Sequence, residues 1–328
     1  MTASLSSERR RAMLRTAMGP GIAAALSDTR VLEVMVNPDG MLRLDVLGEG
    51  RVETGIQLEP DQVERIVRLV ASHARSEINP AAPIVSAELP PLEDGVAGER
   101  FEGILPPVST GPCFSIRKPA IRIHRLSDYV ADSIMDAETA RVLSLAVVDR
   151  RNIVVAGGTS SGKTTLANAL LAEMAHLDER VILIEDTREL QCPAPDTVAL
   201  RTRSGAVSMT DLVRSTLRLR PDRIVVGEVR GPEALDMLKA WNTGHPGGIA
   251  TVHANSATAA LHRIEQLVQE AVVTVPRALI ADAIDVIVFI SGRGAGRRVD
   301  SVIRVAGVDP DGGFALFDLL TAPNLKGV

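Results

Sequence analysis

Aromatic side chains are scarce in this 328-residue chain, which has five Phe, one Trp and one Tyr. Its cores must therefore be built from Val, Ile, Leu and Ala, as in buried parallel sheets covered by helices. Cysteine is scarcer. Cys113 and Cys192 stand far apart with no C-x-x-C pair, which excludes a disulfide framework and a four-cysteine zinc site and fits a reducing cytoplasm. A basic excess is missing too: 36 Lys and Arg face 41 Asp and Glu, for a net charge of −5. That weighs against a sequence-independent nucleic-acid binder, which carries a broad basic face. Long apolar runs are also absent. Met1 to Asp28 has no continuous apolar core and carries Arg9, Arg10, Arg11 and Arg15, so no secretory signal is read there. The most apolar late segment, Ala271 to Ile290, is interrupted by Pro276, Arg277, Asp282 and Asp285 and does not span a bilayer. A soluble protein is expected. Its arginine-rich start reads better as a solvated helix face than as a helix lying on lipid, although peripheral membrane contact stays open.

What is present is organised around Gly157-Gly158-Thr159-Ser160-Ser161-Gly162-Lys163-Thr164-Thr165, a full G-x-x-x-x-G-K-[ST] phosphate-loop pattern. The apolar run Asn152 to Ala156 precedes it as a buried strand, and Leu166, Ala169, Leu170 and Met174 follow at helical spacing. Strand, glycine loop and helix is the order the chemistry needs. Backbone N–H groups wrap the phosphates and the helix N-terminus adds a favourable dipole. Lys163 is expected on the β- and γ-phosphates, and the Thr164 hydroxyl on Mg²⁺.

The length predicts two domains. In the first, Val31 to Val36 and Met41 to Val46 read as strands around the turn Asn37-Pro38-Asp39-Gly40. Val63, Ile66, Val67 and Val70 then form the stripe of an amphipathic helix. Between Asn79 and Pro112 prolines and glycines crowd in, which predicts loops and short strands. The segment 121–135 reads as a linker. A helix is expected from about Asp136, and beyond it strands and helices alternate: Asn152 to Ala156, Val181 to Ile184, Ile224 to Val226 and Ile249 to Val252, with helices after Lys163, from Met209 to Leu219, from Pro232 to Trp241 and from Ala257 to Gln269. The alternation implies a parallel sheet covered on both faces, and two runs around Asp309 to Gly313 imply a closing hairpin at its edge.

Open α/β sheets bind ligands beyond the carboxyl ends of their strands. The residues delivered there are Glu185-Asp186-Thr187-Arg188-Glu189, Gly227-Glu228-Val229-Arg230 and His253-Ala254-Asn255, with His245 just before the last strand. Hydrolysis of a nucleoside triphosphate needs an oriented water, a metal and donors for the leaving phosphate. Glu185 and Glu228 are the candidate carboxylates. The usual strand-ending Asp is replaced by Gly227, which leaves direct Mg²⁺ ligation at that place in question.

Taken in order, the phosphate loop, Ile184 to Glu189, Leu217 to Gly231 and the pair Gly244-His245-Pro246-Gly247-Gly248 and Thr251 to Asn255 resemble the four motif blocks of the secretion ATPase superfamily of type II and type IV secretion, conjugation and type IV pili. In the first domain, Val34 to Gly40, Arg100 ahead of Pro106-Pro107, and Ser115 to Pro119 resemble its conjugal-transfer (Trb-type) and type IV secretion branch. The Gly227-Glu228 pair is normal in that family. The resemblance implies an α/β fold: a RecA-like P-loop ATPase domain over 136–328 behind a smaller α+β N-terminal domain over 1–120. It further implies a homo-hexamer on the cytoplasmic face of the inner membrane, working with inner-membrane components of a secretion or conjugation channel, with ATP and Mg²⁺ held between the two domains. Carried over by motif, Lys163 and Glu185 are catalytic, Glu185 as the base, and Glu228 is catalytic and holds Mg²⁺ through water. Gly158, Thr159, Ser160, Ser161, Gly162, Lys163, Thr164 and Thr165 bind nucleotide, joined by His245, His253, Arg100 and Arg117. The alternatives are a pilus-retraction or type II secretion ATPase, a nucleic-acid ring motor, and a nucleotide-gated assembly scaffold.

Overall fold

The computed structural model describes residues 2–90, 98–119, 123–203 and 205–320, without the side chains of residues 2–11 and 295. The side chains of Arg9, Arg10 and Arg11, and residues 121–122 of the expected linker, lie outside the described residues. The chain divides into two compact units, Met1–Ile121 and Arg122–Val328.

The first unit opens with helix α1 (Thr2–Ser27), broken at Gly19, whose φ of 81° precedes Pro20. Leu14, Met18, Ile22 and Leu26 recur at helical spacing and are buried, so this helix packs on the core through its second half. The hairpin of β1 (Val31–Val36) and β2 (Met41–Val46) follows as read, closed by a Gly40 N–H to Asn37 carbonyl bond of 2.9 Å. Then come β3 (Gly50–Gln57), α2 (Pro60–Ala74), β4 (Ile84–Glu88), β5 (Arg100–Ile104) and β6 (Cys113–Arg117). They form an antiparallel sheet in the order β3-β2-β1-β6-β5-β4. Alternate residues Val34, Val36, Phe114, Ile116 and Phe101 turn to one face, where Val63, Ile66, Val67 and Val70 of α2 cover them.

The second unit starts with α3 (Leu126–Ala131) and α4 (Ala137–Val148), the latter capped by Asp136, which accepts the Thr139 N–H at 2.7 Å. The expected linker is therefore corrected: Leu126, Tyr129 and Met135 are buried in this unit's core, because their apolar side chains gain more by burial than a free tether allows. The following elements are β7 (Ile153–Gly157), α5 (Lys163–Ala172), β8 (Arg180–Glu185), β9 (Asp196–Arg201), α6 (Met209–Thr216), β10 (Arg223–Val226), α7 (Glu233–Asn242) and β11 (Ile249–His253). After these come α8 (Ala257–Gln269), α9 (Arg277–Ala283), β12 (Val286–Ser291), β13 (Arg298–Val308) and β14 (Phe314–Asp318). The sheet order is β14-β13-β12-β7-β11-β10-β8-β9, parallel from β12 to β9, with the final hairpin antiparallel at one edge. Along β7, Ile153 and Val155 enter one apolar cluster while Val154 and Ala156 enter the other. The sheet is thus covered on both faces. Among the described residues no helix is long and apolar enough to cross a membrane.

The lone tryptophan fixes the entry to β11. Trp241 Nε1 donates to the Ile224 carbonyl at 3.0 Å, and a Cβ on Gly248 would stand 2.0 Å from that nitrogen. Gly248→Ala is expected to destabilise the unit by roughly 1–3 kcal/mol through overpacking, which a thermal unfolding scan reads as a lowered midpoint.

Candidate functional site

The phosphate loop leaves β7 at the middle of the parallel sheet, flanked by β11 and β12. Its path needs two left-handed residues, Ser160 (φ 61°) and Gly162 (φ 95°). Gly157 has no room for a side chain, since a Cβ would lie 2.5 Å from both the Ile290 carbonyl oxygen and Ser161 Oγ. Across Gly162 lies the guanidinium of Arg297, whose Nε is 2.9 Å from where a Cβ would stand and, though buried, has no hydrogen-bond partner. Ser161 is buried and its hydroxyl is likewise without a partner. Gly158 is half-buried, Thr159 and Ser160 are exposed, and Thr164 and Thr165 are half-buried on the first turn of α5. An orphan hydroxyl in a loop that opens the N-terminus of a helix is a cradle suited to an anion.

Lys163 is buried and turned back over the loop, its Nζ donating to the Gly158 carbonyl at 3.0 Å and lying 3.3 Å from His253 Nδ1. Register explains the second contact, for His253 ends β11 directly opposite Gly157 of β7. An ammonium only donates, so Nδ1 is the acceptor and the proton sits on Nε2. Burial, and then the Lys163 charge, lower the His253 pKa and keep the ring neutral at pH 7. Its Nε2 stands 2.7 Å from Glu228 Oε1. That buried oxygen has no fully formed hydrogen bond. The other carboxylate oxygen is bonded by Arg230 Nη2, and Arg230 Nη1 reaches to 3.9 Å from Asp186. Lys163, His253, Glu228 and Arg230 thus form one chain along the carboxyl edge of the sheet.

Glu185 ends β8 and is only 4% exposed. Its Oε1 accepts the N–H groups of Glu189 at 2.9 Å and Leu190 at 2.8 Å. Burial pushes its pKa up to about 7, against the opposing pull of those two amides. Gly227, at the end of β10, faces it: a Cβ there would lie 3.0 Å from Glu185 Cγ and 3.3 Å from Oε1. The missing strand-end Asp now has a physical reason, because the neighbouring strand's carboxylate occupies its space. Gly227→Asp would put a second carboxylate beside a buried one and raise the Glu185 pKa further. An NMR titration of the Glu185 carboxyl is expected to show its midpoint moved upward.

His245 does not join this edge. His245 is at the opposite, amino-terminal end of β11, with Nδ1 3.1 Å from the Ala240 carbonyl. The length of β11, roughly 13 Å at strand rise, separates that end from His253. The glycines beside His245 seat Arg223 and Trp241, so this half of the motif shapes the base of the sheet. Arg100 and Arg117 belong to the first unit, where they stand directly opposite each other on β5 and β6. Glu88 and Glu33 flank them in register on β4 and β1.

With this geometry in place, comparisons with known proteins become decisive. Residues 100–291 match the family described as Type II/IV secretion system protein, and the conjugal transfer protein TrbB of Rhizobium radiobacter is 47% identical over 296 residues, covering 90% of each chain. The chain belongs to the type II/IV secretion family. Within it the similarity lies with the conjugal-transfer and type IV secretion branch: the type IV secretion system protein PtlH of Bordetella pertussis is 37% identical over 313 residues, 84% of this chain and 90% of that protein. A crystal structure of the pilus retraction motor PilT with bound ADP has a TM-score of 0.59 at 20% identity, covering 90% of this chain and 80% of that one. It shares the secretion-family fold, a RecA-like P-loop α/β domain with a smaller α+β N-terminal domain.

Sequence reasoning gave no role to Arg230, Arg297 or Asn168, which the structure places beside the phosphate loop and the carboxyl edge of the sheet. Arg230 lies in the motif from Leu217 to Gly231, where its spacing alone assigns it no role. Arg297 enters from the turn between β12 and β13, far along the chain, and no local pattern marks it. Asn168 carried a signal, being the one amide among Leu166, Ala167, Ala169 and Leu170 on a buried helix.

Proposed function

We propose that this protein hydrolyses MgATP and, as a homo-hexameric ring, powers substrate export or pilus assembly in conjugal transfer and type IV secretion. The observation that carries the reading is the chain Lys163–His253–Glu228, set at the carboxyl edge of the sheet that also ends in the buried base Glu185. Lys163 rests on a carbonyl and a neutral imidazole, two weaker acceptors that a phosphate oxygen displaces. Gly158, Thr159, Ser160, Ser161, Gly162 and Thr165 wrap the phosphates with backbone N–H groups and hydroxyls. When Lys163 turns to phosphate, His253 loses one neighbour and keeps Glu228, so the histidine reports the occupancy of the loop. Glu185 holds its two amide bonds on Oε1 and takes a proton from water at Oε2.

Mg²⁺ supplies charge neutralisation on the phosphates. Thr164 would hold it by its hydroxyl, and Glu228 would hold one of its waters. Among the described residues no group of three or more His, Cys, Asp and Glu is placed to hold a metal. That suits an ion which arrives on the nucleotide's own oxygens and needs few protein ligands. Arg100 and Arg117, paired in register on β5 and β6, carry guanidinium forks of the kind that bind phosphate oxygens and would favour ATP over ADP.

The ring acts on the cytoplasmic face of the inner membrane, beside the channel components it serves. Size-exclusion chromatography with light scattering, with and without a non-hydrolysable ATP analogue, is expected to give a hexamer with the analogue bound. A strict monomer under every nucleotide condition would overturn the ring.

A further inference from the structure

Asn168 is 2% exposed in the apolar half of α5, between Ala167 and Ala169 and beside Leu166 and Leu170, all buried. A buried amide is costly unless its groups find partners. Those partners lie in the segment that follows β8. Nδ2 donates to the Glu189 carbonyl at 2.9 Å, and Oδ1 accepts the Gln191 N–H at 2.9 Å. Between these anchors the chain turns its other side to Glu185, giving the Glu189 and Leu190 N–H groups to Oε1. Three residues are thus gripped from one side by the phosphate-loop helix while gripping Glu185 from the other. Asn168 also follows Thr165 by three residues and Thr164 by four, one turn along the same helix.

We propose that Asn168 is a positioning residue for Glu185: it ties segment 189–191, and through its two amides the Glu185 carboxylate, to the helix that carries Lys163 and Thr164. The proposal rests on the reading of Glu185 as the base. Its physical content is register. The two amides that stabilise the anion stay aimed at Oε1 only while the segment is held, and the holder shares a rigid helix with the groups that bind phosphate. Any shift of α5 on phosphate binding therefore reaches the base without a separate linkage. The charges that act on the Glu185 carboxyl are Arg188 and Glu189 of the same segment, with opposed effects, while Arg201 stands opposite it in register on β9 and Gly227 on β10 presents no side chain. Losing the amides leaves burial unopposed, so the carboxylate becomes harder to ionise.

The test uses the full chain with Asn168→Ala and Asn168→Leu, the second keeping the volume so that no cavity opens, and Glu185→Gln as reference. Binding of a fluorescent ATP analogue with Mg²⁺ is expected to stay within about twofold of wild type, since the phosphate loop is untouched. Turnover should fall about tenfold. The acid limb of the kcat–pH profile should move up by about one pH unit, a tenfold change in ionisation constant. A plain structural brace lowers stability without moving that limb. If Glu185→Gln is inactive while both Asn168 variants keep the wild-type acid limb, the proposal is overturned alone. If Glu185→Gln turns over like wild type, the base assignment fails and takes the proposal with it.

Discussion

Glu185→Gln is expected to lower ATP turnover by roughly 10²–10⁴-fold, the usual worth of a general base, while leaving ATP binding nearly intact. The amide is isosteric, and its carbonyl oxygen still accepts the Glu189 and Leu190 N–H groups that hold Oε1. What it loses is the ability to take a proton. With a pKa of about 7, the wild-type carboxylate is poised near working pH, so its kcat should fall as pH drops through 7. Stability carries the same signature with a defined sign. A carboxyl raised from 4.5 to about 7 by burial binds its proton more tightly folded than unfolded, so stability is lost as pH rises through that window. Gln lacks this liability. The variant should be more stable than wild type at pH 8, by about 3 kcal/mol at most, and the gap should close toward pH 4.5. Scanning calorimetry at several pH values checks it.

Lys163→Ala should cost both binding and turnover. It removes the ammonium that bridges the Gly158 carbonyl and His253, and with it the donor nearest the anion cradle. A hydrogen bond from a charged group is worth about 1.5–3 kcal/mol, so ATP affinity should drop by roughly 10–100-fold, with turnover near background. A second readout follows from the histidine. Burial and Lys163 together hold the His253 pKa down while Glu228 opposes them, so removing the lysine should raise it, visible in an NMR titration of the imidazole. An unmoved titration would separate His253 from the loop.

The features legible in the sequence were those that local chemistry dictates. The strand before Gly157, the apolar stripe on α2 and the Pro38–Gly40 turn each follow from spacing and φ preference. Strand ends also announced Glu185, Glu228 and His253, because an open parallel sheet gathers its polar residues at one edge. What stayed hidden depended on partners distant in sequence. β3 has glycines at 50 and 55 and a mostly exposed edge position, and β9 follows a proline pair with a mixed face, so neither has clean alternation. α9 and β12 share one apolar run, Ala271 to Ile290, that no period resolves. His245 looked like a companion of His253 because eight residues separate them in the chain. A parallel strand between the two puts them at opposite ends of the sheet. Gly227 read as a missing ligand until the adjacent strand showed why no side chain fits.

The central claim is that this site hydrolyses ATP through Lys163 and Glu185. Steady-state phosphate release from MgATP by wild type, Glu185→Gln and Lys163→Ala, with ATP binding measured in parallel, tests it most directly. Turnover is expected from wild type alone, with tight binding by wild type and Glu185→Gln and weak binding by Lys163→Ala. Equal, slow hydrolysis by all three proteins would contradict the claim and leave a nucleotide-gated scaffold in place of a motor.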